Sequence, residues 1–246
     1  ASEDIVELRQ PGWWRKEAGR KCWQKLLNFP DKIKEIRRKG GLAAWQRNQK
    51  AHPVTLPAII DERLCELLGA MMGDGCIYIA SSSKTKHISI CGNAVNDIEY
   101  LHKLQGLFKE LFGRDATIRK EKGKNCSQFA VCSEKIYDFF VGLGMPEGVK
   151  KDKLAVPTWM WAAPSVQKKA FVRGLFDTDG GIYLGPSRLI HFCSVNLGFE
   201  EEICQILREL GFKPTIIFRS GTPSIYLCGK EQIRKYVDEV GFSNIN

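Results

Sequence analysis

Residues 67–75 read LLGAMMGDG and residues 172–180 read VRGLFDTDG. Set against each other, Gly69 falls on Gly174, Gly73 on Thr178, Asp74 on Asp179 and Gly75 on Gly180, with the two aspartates 105 positions apart. Each stretch is an apolar segment that ends in a carboxylate and a chain-breaking glycine. Its small residues stand at i and i+4, which puts them on one face of a helix. Two such faces can pack with their backbones unusually close. Related by a pseudo-twofold axis, they bring Asp74 and Asp179 side by side at one end. The glycine after each aspartate suits the left-handed position that terminates a helix.

That placement is costly. A carboxylate at a helix C-terminus opposes the helix dipole by roughly 0.3–1 kcal/mol. Two close carboxylates also repel, which raises one pKa unless something offsets the charge. A hard divalent cation is the natural offset, because it takes carboxylate and carbonyl oxygens. A lone aspartate at a helix end reads as a cap or a hydrogen-bonded structural acid. Two at matching positions favour a metal site. Asp177 has no counterpart, since Met72 stands there in the first copy.

The surroundings repeat as well. From Leu64 the pattern predicts a helix, strands at 76–82 and 87–91, a helix over 96–112, strands at 116–120 and 127–132, and a helix over 134–144. After VPTWMWAAP (156–164) comes a helix over 165–178, with Ser165 as candidate N-cap. Strands then fall at 181–185 and 189–194, a helix at 198–211, strands at 214–219 and 223–228, and a last helix near Lys230. The fold class is therefore α+β, as two αββαββα repeats over 57–154 and 155–246, preceded by a basic extension over 1–56.

The charge is uneven. The chain has 37 Lys and Arg against 28 Asp and Glu, a net +9, of which residues 1–56 carry +7. A basic arm on a nearly neutral body points to a polyanion such as nucleic acid, although net charge alone also fits any soluble protein. In the arm, GRKCWQK (19–25) and GLAAWQR (41–47) share a Gly-x-x-x-Trp-Gln-basic pattern. It reads either as amphipathic helices packing their tryptophans or as a helical DNA-contacting extension, with Arg37, Arg38, Lys39, Arg47 and Lys50 near phosphates. No apolar run is long enough to span a bilayer, and no signal-peptide pattern opens the chain. The nine cysteines form no C-x-x-C pair, so neither zinc nor a disulfide framework is indicated. A reducing interior, cytoplasm or organelle matrix, is the expected location.

Two other motifs touch FDTDGG (176–181) and fail. A haloacid-dehalogenase nucleophile loop continues with threonine after a strand, and here Gly181 follows a helix pattern. A calcium EF-hand loop lacks its further acidic positions and closing glutamate.

With both nonapeptides in place, residues 57–246 resemble the LAGLIDADG homing endonucleases, especially the single-chain, two-repeat members. The resemblance implies two antiparallel-sheet saddles over DNA major grooves, with the signature helices between them. It implies a monomeric enzyme that cuts both strands of a long specific duplex site and leaves short 3′ overhangs. Asp74 and Asp179 would be catalytic metal ligands, joined by the carbonyls of Gly73 and Thr178. Magnesium or manganese would support cleavage, and calcium would bind without supporting it. Members carry a basic residue near the acids. Lys151, flanked by Lys150 and Lys153, is the candidate here, against a solvated loop with phosphate contacts only. Its second-half equivalent would follow GFSN (241–244) and is unassigned.

The DNA-facing set expected on strands and loops is Tyr78, Ser82, Lys84, Lys86, Arg119 and Lys120 in the first repeat. In the second it is Tyr183, Arg188, His191, Arg219 and Tyr226. Lys122 and Lys124, in a loop, suit phosphates. The rival reading is a protein that binds without cutting, either an intron RNA maturase or a regulator on the same fold.

Overall fold

A computed structural model describes residues 29–51, 53–185, 188–219 and 221–244; the side chains of 44–51 and 219 lie outside the description. The chain divides into two compact units, residues 1–52 and 53–246. Residues 53–56 belong with the body, because the Thr55 N–H donates to Phe112 O at 3.1 Å. Among the described residues of the first unit, helix α1 (Pro30–Ala51) opens on proline, whose missing N–H suits a first turn. The first Trp-Gln stretch, 19–25, falls outside the described residues, as do the Arg47 and Lys50 side chains.

The body contains the two repeats. The first runs α2 (Glu62–Gly73), β1 (Gly75–Ile79), β2 (Lys86–Asn93), α3 (Ile98–Phe112), β3 (Thr117–Lys120), β4 (Cys126–Cys132) and α4 (Glu134–Gly142). A 3-10 turn at Thr158–Ala162 leads into the second: α5 (Ser165–Asp179), β5 (Gly180–Tyr183), β6 (Leu189–Cys193), α6 (Leu197–Glu209), β7 (Thr215–Arg219), β8 (Thr222–Cys228) and α7 (Lys230–Glu239). Each repeat closes a four-stranded antiparallel sheet, in the orders β1-β2-β4-β3 and β5-β6-β8-β7.

Helix α2 starts where Asp61 accepts the Leu64 N–H at 3.0 Å. Nearly all of its residues are buried, from Leu64 to Gly73. A helix apolar on every side has to be sandwiched, and α2 is held between its own sheet and α5. Each sheet buries one face only. Along β4, Ser127, Phe129 and Val131 point to the helices while Cys126, Gln128 and Ala130 point away. Phe108, Phe112, Phe129 and Phe140 fill the first core, and Phe176, Phe192, Phe199 and Tyr236 the second.

Three local readings differ from the sequence pattern. Ser165 is the first helical residue of α5, and Pro164 holds the N-cap position with no side-chain cap. Strand β1 ends at Ile79, because residues 80–85 form a turn closed by the Ala80 N–H to Thr85 O at 2.9 Å. Gly75 and Gly180 are not left-handed. They are glycine because the chain folds straight back over its own helix. A Cβ there would lie 2.4 Å from Met71 O or 2.6 Å from Phe176 O.

Candidate functional site: a paired-carboxylate centre

The site is made by the α2–α5 contact. A Cβ on Gly69 would lie 2.2 Å from Phe171 O, and one on Gly174 would lie 2.0 Å from Glu66 O, so two backbones touch where each helix has no side chain. At the ends of the helices a Cβ on Gly73 would fall within 1.9 Å of Thr178 Oγ1 and 3.3 Å of Asp179 Oδ2. Asp74, the next residue, and Asp179 therefore stand together at the repeat interface. Neither carboxylate makes a side-chain hydrogen bond or an ion pair among the described residues.

Burial raises the Asp179 carboxyl to about 6, and the neighbouring Asp74 charge adds to the shift while Lys150 opposes it. Asp74 keeps an open side to solvent, yet the protein packed around it also raises its pKa, with Lys150 opposing and Asp97 adding. Lys150 is the cation of this centre. Burial lowers its pKa, and Asp179 and then Asp74 pull it back up. Its Nζ donates to Met72 O at 2.9 Å, to Gly75 O at 2.7 Å and to Gly73 O.

The structure thus brings together Asp74, Asp179, Gly73 and Thr178, and adds Lys150. Lys151, the expected basic residue, is exposed, and its carbonyl accepts from Asn196 Nδ2 at 3.1 Å. The one-residue difference comes from the segment before it. Glu147 pairs with Ile77 in a parallel bridge, and the Gly148 N–H donates to Ile77 O at 2.8 Å. Lys150 is thereby laid against the end of α2, a phase that a basic run in a loop does not announce.

The open sheet faces hold part of the expected DNA-facing set. Tyr78 is 39% exposed and stacks on His87, with centroids 4.9 Å apart and planes 3° from parallel. His191 pairs more loosely with Tyr226, with centroids 6.4 Å apart and planes 28° from parallel; Tyr226 is buried, at 6% exposure, while Tyr183 on the same sheet is exposed. Arg119 lies opposite Gln128, on the same face as Cys91. Ser82 and Lys84 are exposed in the β1–β2 turn, Lys84 with a left-handed φ of 56°. Lys122 and Lys124 are exposed in the β3–β4 loop, with Lys124 paired to Glu121 at 2.7 Å. Arg37, Arg38 and Lys39 are exposed on α1.

Three expected readers point elsewhere. Lys86 shares the helix-covered face with Ile88, bonds Asp138 at 2.5 Å and lies over the Tyr137 ring. Arg188 borders a cavity of about 410 Å³ against α7, with Ile233 and Val237. Lys120 pairs with buried Ser127 and so belongs to the helix side of its edge strand. Arg219 ends β7 and its side chain lies outside the description. His87 and Gln128, outside the expected set, share the open face of the first sheet. Each immediately precedes a buried residue, Ile88 or Phe129, and so falls on the opposite, open face.

Asp177, the acid without a counterpart, is occupied by backbone donors. Its carboxylate accepts the Ser243 N–H at 2.9 Å and the Asn244 N–H at 3.1 Å, and burial raises its pKa to about 6. Ser243 Oγ donates to Glu66 Oε1 at 2.6 Å, and Arg173 grips Glu66 Oε2 through two donors at 2.6 and 3.0 Å. Residues 243–244 are thus tied to both repeats.

As a metal centre the donor set fits a hard divalent ion. Two free carboxylates and the carbonyls at two helix ends are all oxygen. The described residues offer no group of three or more His, Cys, Asp or Glu side chains around one point. Water and a substrate oxygen would have to complete such a shell, as magnesium usually requires.

Residues 166–241 match the LAGLIDADG-like domain family. Among curated relatives, the tRNA-splicing ligase RtcB of Pyrococcus furiosus is 31% identical over 204 residues, covering 73% of this chain and 21% of that protein. A DNA polymerase of Thermococcus sp. is 27% identical over 197 residues, covering 78% and 10%. A DNA gyrase polypeptide of Mycolicibacterium flavescens is 30% identical over 106 residues, covering 42% and 19%. The chain spans about a fifth of the length of the relatives it matches first, 22% and 21%. Among solved structures, I-DmoI in complex with DNA and Mn superposes with a TM-score of 0.58 at 20% identity, covering 76% of this chain and 100% of that one. I-WcaI bound to its DNA recognition sequence gives 0.57 at 14% identity, covering 76% and 82%. At these identities the likeness is one of fold. The second repeat carries the match to the LAGLIDADG-like domain family, and the two-repeat fold, with an aspartate at the end of α2 and of α5, is the one shared with those solved structures.

Proposed function

We propose that the chain is a site-specific DNA endonuclease of the homing type, which hydrolyses one phosphodiester in each strand with the help of divalent metal and leaves short 3′ overhangs. The observation that carries this reading is the pair of carboxylates, one from each repeat, held adjacent by glycine-to-backbone contact and left without a hydrogen bond among the described residues. Retaining such a pair in a crowded interface is costly without a cation to bind. Magnesium or manganese would supply charge neutralisation and an activated water for in-line attack on phosphorus.

This chain's residues do the rest. Asp74 and Asp179, with Gly73 O and Thr178 O, would hold the ions at the midpoint between the two sheets. Lys150 offsets the paired negative charge. The open faces around Tyr78, His87, Arg119 and Gln128, and around Tyr183 and His191, would lie in successive major grooves and set the register of the scissile bonds. Both acids come from one polypeptide, so a monomer suffices. The exposed lysines and arginines of α1 are suited to nucleic-acid phosphates.

The relatives add support of a different kind. The matching segment makes up a tenth to a fifth of longer proteins named for unrelated activities, a gyrase, a polymerase and a ligase. That distribution suits a module inserted in frame, which a sequence-specific nuclease can propagate.

The test is selection of cleaved sites from a randomised duplex library with Mg2+, followed by the recovered site on a supercoiled plasmid. Linearisation with Mg2+ or Mn2+ but not with Ca2+, lost in Asp74→Asn and in Asp179→Asn, is the expected result. Specific binding without nicking in any divalent metal would overturn it in favour of a non-cleaving binder.

A further inference from the structure

Lys150 does more in this geometry than lend its charge to the acids. An ammonium has three N–H donors, and all three are directed at carbonyls: Met72 O at 2.9 Å, Gly75 O at 2.7 Å, and Gly73 O. These oxygens belong to the last turn of α2 and the bend into β1, where carbonyls lack a helical partner and the dipole is negative. No contact short enough to count as an ion pair joins Lys150 to Asp74 or Asp179. The side chain thus takes Gly73 O out of the ligand set and leaves both carboxylates open.

The two repeats differ here. Gly73 O is held by Lys150, whereas among the described residues no side chain donates to its counterpart, Thr178 O. The Lys150 backbone is fixed by the bridge of Glu147 to Ile77 and by a turn in which the Lys153 and Leu154 N–H groups donate to Lys150 O at 2.9 and 3.0 Å. Its four-carbon stem has freedom that the backbone lacks.

We propose that Lys150 is an internal stand-in for a divalent cation: its ammonium occupies Gly73 O in the metal-free protein and has to withdraw from that oxygen before the Asp74–Gly73 ligand pair can take a metal. This deepens the metal-site reading above and rests on it. A dication and an ammonium repel at such range and compete for one carbonyl. Asp179 and Thr178 O would thus be available to a divalent ion as they stand, and Asp74 and Gly73 O only once the lysine has moved off. The device keeps the interface electrostatically balanced in the absence of metal, and the balance is lifted where and when the ion arrives.

The experiment is a Mn2+ titration of the DNA-free protein, reading free Mn2+ by its paramagnetic resonance signal. It uses wild type, Lys150→Met, Lys150→Gln, Lys151→Met and the two Asp→Asn variants, each shown folded by its thermal transition. Removing the competitor should tighten Mn2+ binding about tenfold in Lys150→Met, the size of a released charged hydrogen bond. Lys150→Gln, which keeps donors for the carbonyls, should fall between. Lys151→Met removes the same charge one residue away and should change affinity less than about twofold, as for an exposed, screened charge. Equal or weaker binding in Lys150→Met, or an equal gain in Lys151→Met, would overturn the proposal while the metal site stands. Unchanged Mn2+ binding in Asp74→Asn and Asp179→Asn would show instead that the metal-site reading has failed.

Discussion

Gly69 and Gly174 pack against each other's helix backbones so closely that a methyl group on either would lie 2.2 Å from Phe171 O or 2.0 Å from Glu66 O. Backbone, unlike a flexible side chain, cannot step aside. Gly69→Ala or Gly174→Ala should lower unfolding free energy by at least about 3 kcal/mol, the upper range for overpacking. The surviving folded fraction should bind metal poorly, because the acids are pushed apart. Gly106→Ala is the control. No atom lies within 4 Å of a Cβ there, and the residue is in the exposed interior of α3. It should gain roughly 0.5–1 kcal/mol. Urea denaturation of the three variants checks both signs.

The sheet registers make a prediction about the duplex. Lys86 is committed to Asp138 on the helix side, while Arg119 lies on the open face. On the selected target, Arg119→Gln should weaken binding and reduce the slope of log affinity against log salt by about one. Lys86→Gln should leave both unchanged and affect thermal stability alone. Fluorescence anisotropy at several salt concentrations separates the two.

Glu200 is fully buried at the start of α6, with one oxygen accepting the Ser194 N–H at 2.6 Å and the other without a partner. Burial raises its carboxyl to about 7 from an ordinary 4.5. Between those values the folded protein holds a proton that the unfolded chain has lost, so stability falls as pH rises through the window. The contribution is complete below about pH 4.5 and gone above about pH 7. Glu200→Gln cannot titrate. The stability difference, variant minus wild type, should climb with pH across that interval and then level off, as denaturation at a series of pH values would show.

Asp177 holds residues 243–244 through backbone N–H groups, where the first repeat has Met72. Asp177→Met should leave those donors unsatisfied, at a cost of roughly 1–3 kcal/mol. Amide exchange at Ser243 and Asn244 should accelerate, while exchange in β5 and β6 keeps its wild-type rate.

Much of this architecture was legible from the duplicated nonapeptide. Small residues at i and i+4 gave the helix contact, and the matching aspartates gave the acid pair. Strand faces were harder to phase. Lys86 and Arg188 were expected to face DNA, and both lie on the helix side. A basic residue just before an apolar strand looks like a reader until the first buried residue, Ile88 or Ile190, sets the alternation. Lys150 was missed by one position for a tertiary reason. Which of three nearby lysines meets the acids depends on how residues 147–148 pair with Ile77, and no local pattern encodes that pairing. The role of Asp177 was invisible for the same reason, since its partners lie 66 and 67 residues away.

The glycine contact between α2 and α5 has a last consequence. Each sheet springs directly from the end of one of these helices, through Gly75 or Gly180, with no linker to absorb slack. Helices in backbone contact cannot slide without collision, and parting them would expose the packed interface, so the two saddles keep a constant phase. A duplex along both would be gauged as well as spelled: inserting a single base pair midway between its half-sites should abolish recognition even though every contacted base is intact.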